Sequence, residues 1–376
     1  MKYYIIAGEA SGDLHGSNLI RGLQQLDPAA DIRAWGGDKM AATGASLVKH
    51  YRDLAFMGFV EVVTHLSTIF KNLSFCKNDI TLFKPDVLIL IDYPGFNLRI
   101  AKWAKKAGFK VVYYISPQVW AWKESRVPSM KKTIDKMLVI LPFEQGYFAD
   151  KFDWAVEYVG HPLVGAIQAF QANKASHPLP ASLTGELAGK KIIAVLPGSR
   201  KQEVRKKLPV MLAMAKYFPD FQFVVAQAPS LEDAFYAPFL APYPNVKAVT
   251  GKTYALLMRS AAALVTSGTA TLETALFGVP EVVCYKGNPI SYQIAKRLIK
   301  VKYISLVNLI MDRMVVRELI QDDLNELQLK SALTSILEDQ NVITRLQKDY
   351  RELKEILSAG GNASVNAARA IVQFIA

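Results

Sequence analysis

The sequence predicts an α/β protein of two domains, each built on a parallel sheet, with a helical tail at the C-terminus. Three observations lead there. The 376 residues are too many for one ordinary core at ~150 residues per domain. Short apolar runs alternate with amphipathic stretches, the pattern of strands joined by right-handed helical crossovers. That alternation stops once, over residues 171–190, and then starts again.

In the first half, residues 3–7 read as a strand and 14–26 as a helix ending before Asp27-Pro28. A strand at 32–35 precedes a helix around 38–43. Residues 87–91 are almost pure Val, Ile and Leu, the mark of a strand buried on both faces. A helix at 100–107 stops at Gly108, and strands follow at 110–115, 137–140 and 157–159. The N-terminal domain is therefore assigned to 1–170. The stretch 171–190 carries Asn173, His177-Pro178, Pro180 and Gly189 without a clear period, and reads as the linker. A second domain, 191–345, repeats the pattern with strands at 191–196, 221–226, 246–249, 263–266 and 281–285. Its helices fall at 201–217, 254–260 and 271–277. Residues 346–376 form helices able to pack back on the N-terminal domain. Two such domains imply a cleft between them.

Hydrophobic residues make up 51% and charged residues 21%, a globular composition. No run approaches the ~18 apolar residues of a membrane span, and the apolar start at residues 3–7 is too short for a signal peptide; a cytoplasmic protein is expected. Cys76 and Cys284 stand far apart and the five histidines are scattered, so no metal site is expected. The cysteines read as reduced core residues. The net charge of +12 suits nucleic acid, a phosphorylated substrate or an anionic membrane. No nucleic-acid module accompanies it, so no nucleic-acid partner is expected.

Ligands of parallel sheets bind beyond the strands' carboxyl ends, and three turns fit that place. Strand 263–266 runs into Ser267-Gly268-Thr269 and then a helix. Glycine lets the backbone approach a ligand, and free N–H groups of a first helical turn favour phosphate. Glu273 in that turn suits two ribose hydroxyls; the rival reading is a capped turn with a dipole-compensating glutamate. Strand 191–196 likewise ends at Gly198-Ser199-Arg200, whose guanidinium suits a diphosphate. Two such turns in one domain point to a diphosphate rather than a lone phosphate. The third turn, with Gly8, Glu9, Ser11, Gly12 and Asp13, does not follow GxGxxG, and Trp35-Gly36-Gly37 lacks the acidic residue of a dinucleotide site. It reads as the border of a sugar or phosphate across the cleft.

Asp92 ends strand 87–91, where a carboxylate can act as general base; capping is the alternative, and Glu9 and His15 are rival bases. Finally, Val60, Val63, Leu66, Ile69, Phe70 and Leu73 form a stripe at helical spacing, with Val62 beside it. Such a stripe is either core or an interfacial helix too short to span a bilayer.

Taken together, the segments 8–13, 57–62, Ser116-Pro117-Gln118-Val119-Trp120-Ala121-Trp122, Leu141-Pro142-Phe143-Glu144 and Gly160-His161-Pro162 occur in this order. They are followed by Leu196-Pro197-Gly198-Ser199-Arg200, 267–273, 295–298 and 303–309. The series resembles the bacterial lipid-A-disaccharide synthases from near Ile5 to the C-terminal helices. The resemblance implies the GT-B fold, two Rossmann-like domains with parallel sheets facing across a cleft. It implies inverting transfer of 2,3-diacylglucosamine from UDP to 2,3-diacylglucosamine 1-phosphate, giving a β-1,6-linked disaccharide 1-phosphate and UDP. In that family the residues matching Arg200, Glu273 and Asn308 are associated with the UDP donor, and the residue matching Asp92 is the favoured base. Members often carry a second acidic residue where Gly95 stands, so Asp92 is the only carboxylate of its loop and a two-carboxylate mechanism is placed in doubt.

Arg200, the helix start after Gly268 and Arg297 are then candidates to stabilise the departing diphosphate without metal, and no cofactor is expected. The positive charge acquires two partners, anionic sugar phosphates and the anionic inner leaflet. Val60, Val62, Val63, Leu66, Ile69 and Phe70 become a membrane-docking surface at the cytoplasmic face of the inner membrane. The tail and the resemblance make a homodimer a reasonable expectation. The rival readings are a UDP-N-acetylglucosamine 2-epimerase or another GT-B glycosyltransferase, and a non-catalytic nucleotide-sugar or lipid-binding protein.

Overall fold

The computed structural model describes residues 1–54, 66–173, 176–180, 189–288, 292 and 301–376. They divide into two compact units, Met1–Pro162 with Leu357–Ala376, and Leu163–Ile356. The first unit thus ends at Pro162, ahead of the expected 170, and takes the chain back at Leu357, beyond the expected 346.

The first unit holds seven strands: β1 (Lys2–Ala7), β2 (Asp31–Gly36), β3 (Ser46–His50), β4 (Val87–Ile91), β5 (Val111–Tyr114), β6 (Lys136–Val139) and β7 (Glu157–Tyr158). All pairings are parallel, in the order β3-β2-β1-β4-β5-β6-β7. Growth runs outward from β1 one way and from β4 the other. The β1/β4 border is therefore the topological switch point, where the loops beyond the strands part.

Alternation along the central strands builds two layers. Tyr4, Ile6, Leu88 and Leu90 pack with Cys76, Ile80 and Ile100 from the helices Leu66–Phe83 and Pro94–Lys106. Tyr3, Ile5, Ile89 and Ile91 pack with Leu19 and Leu23 of the helix Ala10–Leu26 and with Ala367, Ala368 and Ile371 of the helix Ala363–Ile375. The last helix is thus core of the first unit, each buried Leu or Ile contributing about 1.5–3 kcal/mol. Glycines allow its entry: a Cβ on Gly360 would stand 2.5 Å from the Gly160 Cα. Gly160 itself has a φ of +94°, and the Asn366 amide donates to the Val159 carbonyl across the same seam at 3.2 Å.

The second unit has six strands: β8 (Lys191–Leu196), β9 (Phe221–Gln227), β10 (Val246–Thr250), β11 (Ser260–Thr266), β12 (Glu281–Tyr285) and β13 (Arg317–Ile320). They are parallel, in the order β10-β9-β8-β11-β12-β13, with the switch point between β8 and β11.

Of the apolar stripe, Val60, Val62 and Val63 lie outside the described residues, as does the Leu66 side chain. Ile69 packs against the core, on the face that carries buried Leu73, Cys76 and Ile80. Phe70 points away with 63% of its surface exposed, as does Leu82 further along the helix, while Phe75 is exposed on one side and meets the core Trp35 ring, at 6.0 Å between centroids, on the other. The helix therefore presents two faces, and Ile69 belongs to the inner one. Among the described residues no helix is long and apolar enough to cross a membrane.

Candidate active site

At the first switch point two turns stand side by side. After β1, Gly8 lies against the Tyr93 ring, 2.2 Å from where a Cβ would sit. Glu9 takes the N-cap position of the helix that begins at Ala10, four residues ahead of the expected start. Ser11 is exposed and Gly12 buried. Asp13 departs from the expectation of a residue facing ligand. Its buried carboxylate accepts from the amides of Gly37, Lys39 and Met40 at 2.8–3.1 Å. It caps the short helix Asp38–Ala41 and fastens that turn to the first helix.

After β4, Asp92 and Tyr93 both adopt left-handed backbone, with φ of 45° and 49°, a conformation that costs a non-glycine residue energy. Three bonds hold it. The Asp92 carbonyl accepts from the Tyr113 hydroxyl at 2.5 Å and the Asn97 amide at 2.8 Å, and its N–H donates to the Tyr114 carbonyl at 3.1 Å. Pro94 opens the next helix at a position where a missing N–H is harmless, so residues 94–97 are helix rather than loop. Burial pushes the Asp92 carboxyl up to about 6, and the neighbouring Glu9 charge pushes in the same direction. A second carboxylate therefore acts on Asp92 through its charge, supplied by the β1 turn rather than by its own loop. The rival base His15 is driven down to about 4 by burial and then Lys39, and nearby His161 to about 3 by burial and then His15. Both imidazoles are neutral at pH 7, and too weakly basic to compete with Asp92.

The Ser116–Trp122 segment is a staple. Trp120 Nε1 donates to Glu144 Oε1 at 3.2 Å, and Glu144 Oε2 accepts from the Leu141 amide at 3.0 Å. Phe143 lies edge-on to the Trp120 ring at 5.1 Å. The segments 116–122 and 141–144 are thus one local structure, with the Glu144 carboxyl raised to about 7 by burial.

At the second switch point, Gly198 has a φ of +113° and Gly268 of +122°, backbone that side chains rarely adopt. Glu203 braces the first turn, accepting from the Ser199 amide at 3.3 Å and from Arg200 Nη1 at 3.2 Å. Gly268 N-caps the helix Thr269–Leu276, and Thr271 Oγ1 donates back to its carbonyl at 2.8 Å. Ser267 stands between this cap and β11. Within the helix, Glu273 Oε1 accepts from the Tyr254 hydroxyl at 2.8 Å, and burial raises the Glu273 carboxyl. Tyr254 was not foreseen. Its partner lies on a different helix, and no local pattern links the two. Beside it is a hollow of about 250 Å³ lined by Phe170, His177, Lys252 and Tyr254, with the Phe170 and His177 rings stacked at 4.5 Å.

Asn308 stands in surroundings unlike those of the turns. It is fully buried in the helix Leu306–Met311. Its Oδ1 accepts from Val315 and Val316 amides at 2.8 and 2.9 Å, and its Nδ2 donates to the Val316 carbonyl and Glu318 Oε1 at 2.8 and 2.9 Å. Two acceptor and two donor positions are the whole capacity of a carboxamide, and here all four are used within the loop leading to β13. Arg297 lies outside the described residues.

Residues 3–374 match the lipid-A-disaccharide synthetase family. A lipid-A-disaccharide synthase of Geobacter metallireducens is 40% identical over 362 residues, covering 95% of this chain and 93% of that protein. The chain belongs to the lipid-A-disaccharide synthase family. A second such synthase, from Syntrophus aciditrophicus, is 38% identical over 373 residues, covering 98% of this chain and 96% of its own. Among solved structures, UDP-GlcNAc 2-epimerase of Neisseria meningitidis bound to UDP-GlcNAc aligns with a TM-score of 0.69 at 13% identity, over 100% of this chain and 99% of that one. A calicheamicin glycosyltransferase aligns at 0.62 and 18%, over 100% and 98%. At such identities the likeness concerns fold alone: this synthase-family chain has the GT-B fold, two Rossmann-like units with a helical C-terminal tail, shared by epimerases and glycosyltransferases. The epimerase likeness goes no further than that.

Proposed function

We propose that the protein is a glycosyltransferase that moves 2,3-diacylglucosamine from UDP to the 6-hydroxyl of 2,3-diacylglucosamine 1-phosphate, with inversion. Membership of the synthase family over residues 3–374 supports the reaction. The observation that carries the chemistry is Asp92: a carboxyl held at a switch point, lifted to about 6, and so ionised yet appreciably basic at pH 7. As general base it takes the proton of the acceptor hydroxyl as that oxygen attacks the anomeric carbon. The bond from that carbon to the diphosphate oxygen breaks, and UDP departs.

On the donor side, the amides around Gly198 and Gly268 and the Arg200 charge suit the diphosphate. Glu273, with Oε1 on Tyr254, offers Oε2 to ribose hydroxyls, and the aromatic hollow beside Tyr254 suits the base ring. The +12 charge fits phosphorylated lipid and an anionic membrane. We place the exposed Phe70, Phe75 and Leu82 against the cytoplasmic face of that membrane. Replacing these three by serine should release the protein from vesicles containing anionic lipid while its melting point holds; unchanged binding would refute the docking face. A homodimer is also proposed, to be read by sedimentation.

The reaction is tested by incubating the protein with the two acylated substrates and resolving the lipid product. Disaccharide formation and UDP release must both require the acceptor. Conversion of UDP-GlcNAc alone to an epimer, with no disaccharide from the acylated pair, would replace this reading with the epimerase one.

A further inference from the structure

Lys207 is a buried cation two turns into the helix Lys201–Leu212, with 3% of its surface exposed. Lysine is almost never fully buried without a partner, because an ammonium loses several kcal/mol of hydration that only an opposite charge restores. Among the described residues no carboxylate stands within ion-pair distance of it. Its ammonium donates to the Thr266 hydroxyl, a neutral partner. Burial dominates its electrostatics and lowers its pKa; Glu203 attracts it from further away and Arg200 repels it. By the packing alone, an apolar side chain would suit this place better.

Its position supplies the reason for a charge. Thr266 is the last residue of β11 and leads directly into Ser267-Gly268-Thr269. Lys207 itself rises from the helix that follows Gly198-Ser199-Arg200, one turn beyond Glu203, which braces that turn. Because β8 and β11 are neighbours, the bond from Lys207 to Thr266 joins the helix that follows the first glycine turn to the strand that leads into the second. We propose that Lys207 is a positioning residue, a built-in countercharge for the diphosphate of the nucleotide-sugar donor, held by Thr266 between the elements that carry the two turns. Being shielded from water, its field is screened less than that of surface Arg200. It also adds to the partial positive charge of the Thr269–Leu276 helix start. The empty protein carries the cost of the buried charge, and the bound diphosphate offsets it.

This inference rests on the donor reading above, and calorimetry with uridine, UMP and UDP separates the two. Wild type is compared with Lys207→Met, which keeps the shape and removes the charge, and with Lys207→Gln as a second neutral variant. The expected result is a loss of about tenfold or more in UDP affinity, a smaller loss for UMP, and less than about twofold for uridine. The empty Lys207→Met protein should melt higher than wild type, since a buried charge has gone. Wild-type UDP affinity in both variants would overturn the inference and leave the donor reading intact. Equal losses for uridine and UDP would also overturn it, since they signal a merely structural role. Wild type failing to bind UDP would bring down the donor reading and this inference with it. Should Lys207→Met not fold, Lys207→Gln carries the same comparison.

Discussion

Asp92 and Glu9 are two acids whose charges oppose each other. Burial and the Glu9 charge together move the Asp92 carboxyl from 3.8 to about 6, so the proton is held more tightly in the folded protein than in the unfolded chain. The stability this group contributes is therefore complete below 3.8 and lost as pH rises through about 6. For catalysis the sign is opposite: a base must be unprotonated, so kcat/KM should rise with pH along a limb centred near 6. Glu9→Gln removes one of the two causes and should shift that limb to lower pH. A limb that stays in place in the variant would show that burial alone sets it. Asn308 makes a different case. Its four hydrogen bonds are internal to the loop before β13, so Asn308→Ala should cost stability, about 3 kcal/mol by the loss of a saturated buried amide. UDP affinity of the molecules still folded at low temperature should hardly change. A tenfold loss of affinity at unchanged melting point would return Asn308 to the donor site.

Among the elements, the strands buried on both faces were the most legible. A run such as Val87–Ile91 has no other reading once its length and flanks are taken together. The edges were not. β3 (Ser46–His50) is only half-buried, and β13 (Arg317–Ile320) places charged residues in a four-residue strand, so neither carries the apolar signature that central strands show. Helix starts were hidden by glycine and proline. Gly12 reads as a turn residue, yet it sits inside the first helix, where a Cβ would stand 3.1 Å from the Ala7 Cβ. The turns of the candidate site were visible because glycine marks them. What the side chains do in them was not: Asp13 caps, Asn308 is saturated, and Tyr254 and Glu9 acquire their partners only through the fold. The seam between Gly160 and Gly360 belongs to this scale too. Gly360→Ala should destabilise the first unit by about 1–3 kcal/mol, the usual cost of overpacking, and expose the Ala363–Ile375 helix to protease. Wild-type resistance to proteolysis would mean that the seam relaxes around the methyl group.

On the scale of the whole molecule, one construction is used twice. Each unit has a parallel sheet grown outward from a central pair of strands, and each has left-handed or glycine-only backbone at its switch point, at Asp92 and Tyr93 in the first and at Gly198 and Gly268 in the second. One of these points bears Asp92 with the Glu9 charge acting on it; the other bears the Gly198 and Gly268 turns, with buried Lys207 bonded to Thr266 between their elements. On the proposed function, acid chemistry and anion binding are separated by unit, which predicts that substitutions in one leave the other's ligand contacts intact. The most direct measurement is the turnover of Asp92→Asn with both acylated substrates, made beside its affinity for UDP. Turnover should fall by about 10²–10⁴-fold, the usual share of a general base, with UDP affinity as in the wild type. Turnover within a few fold of wild type would contradict the account at its centre.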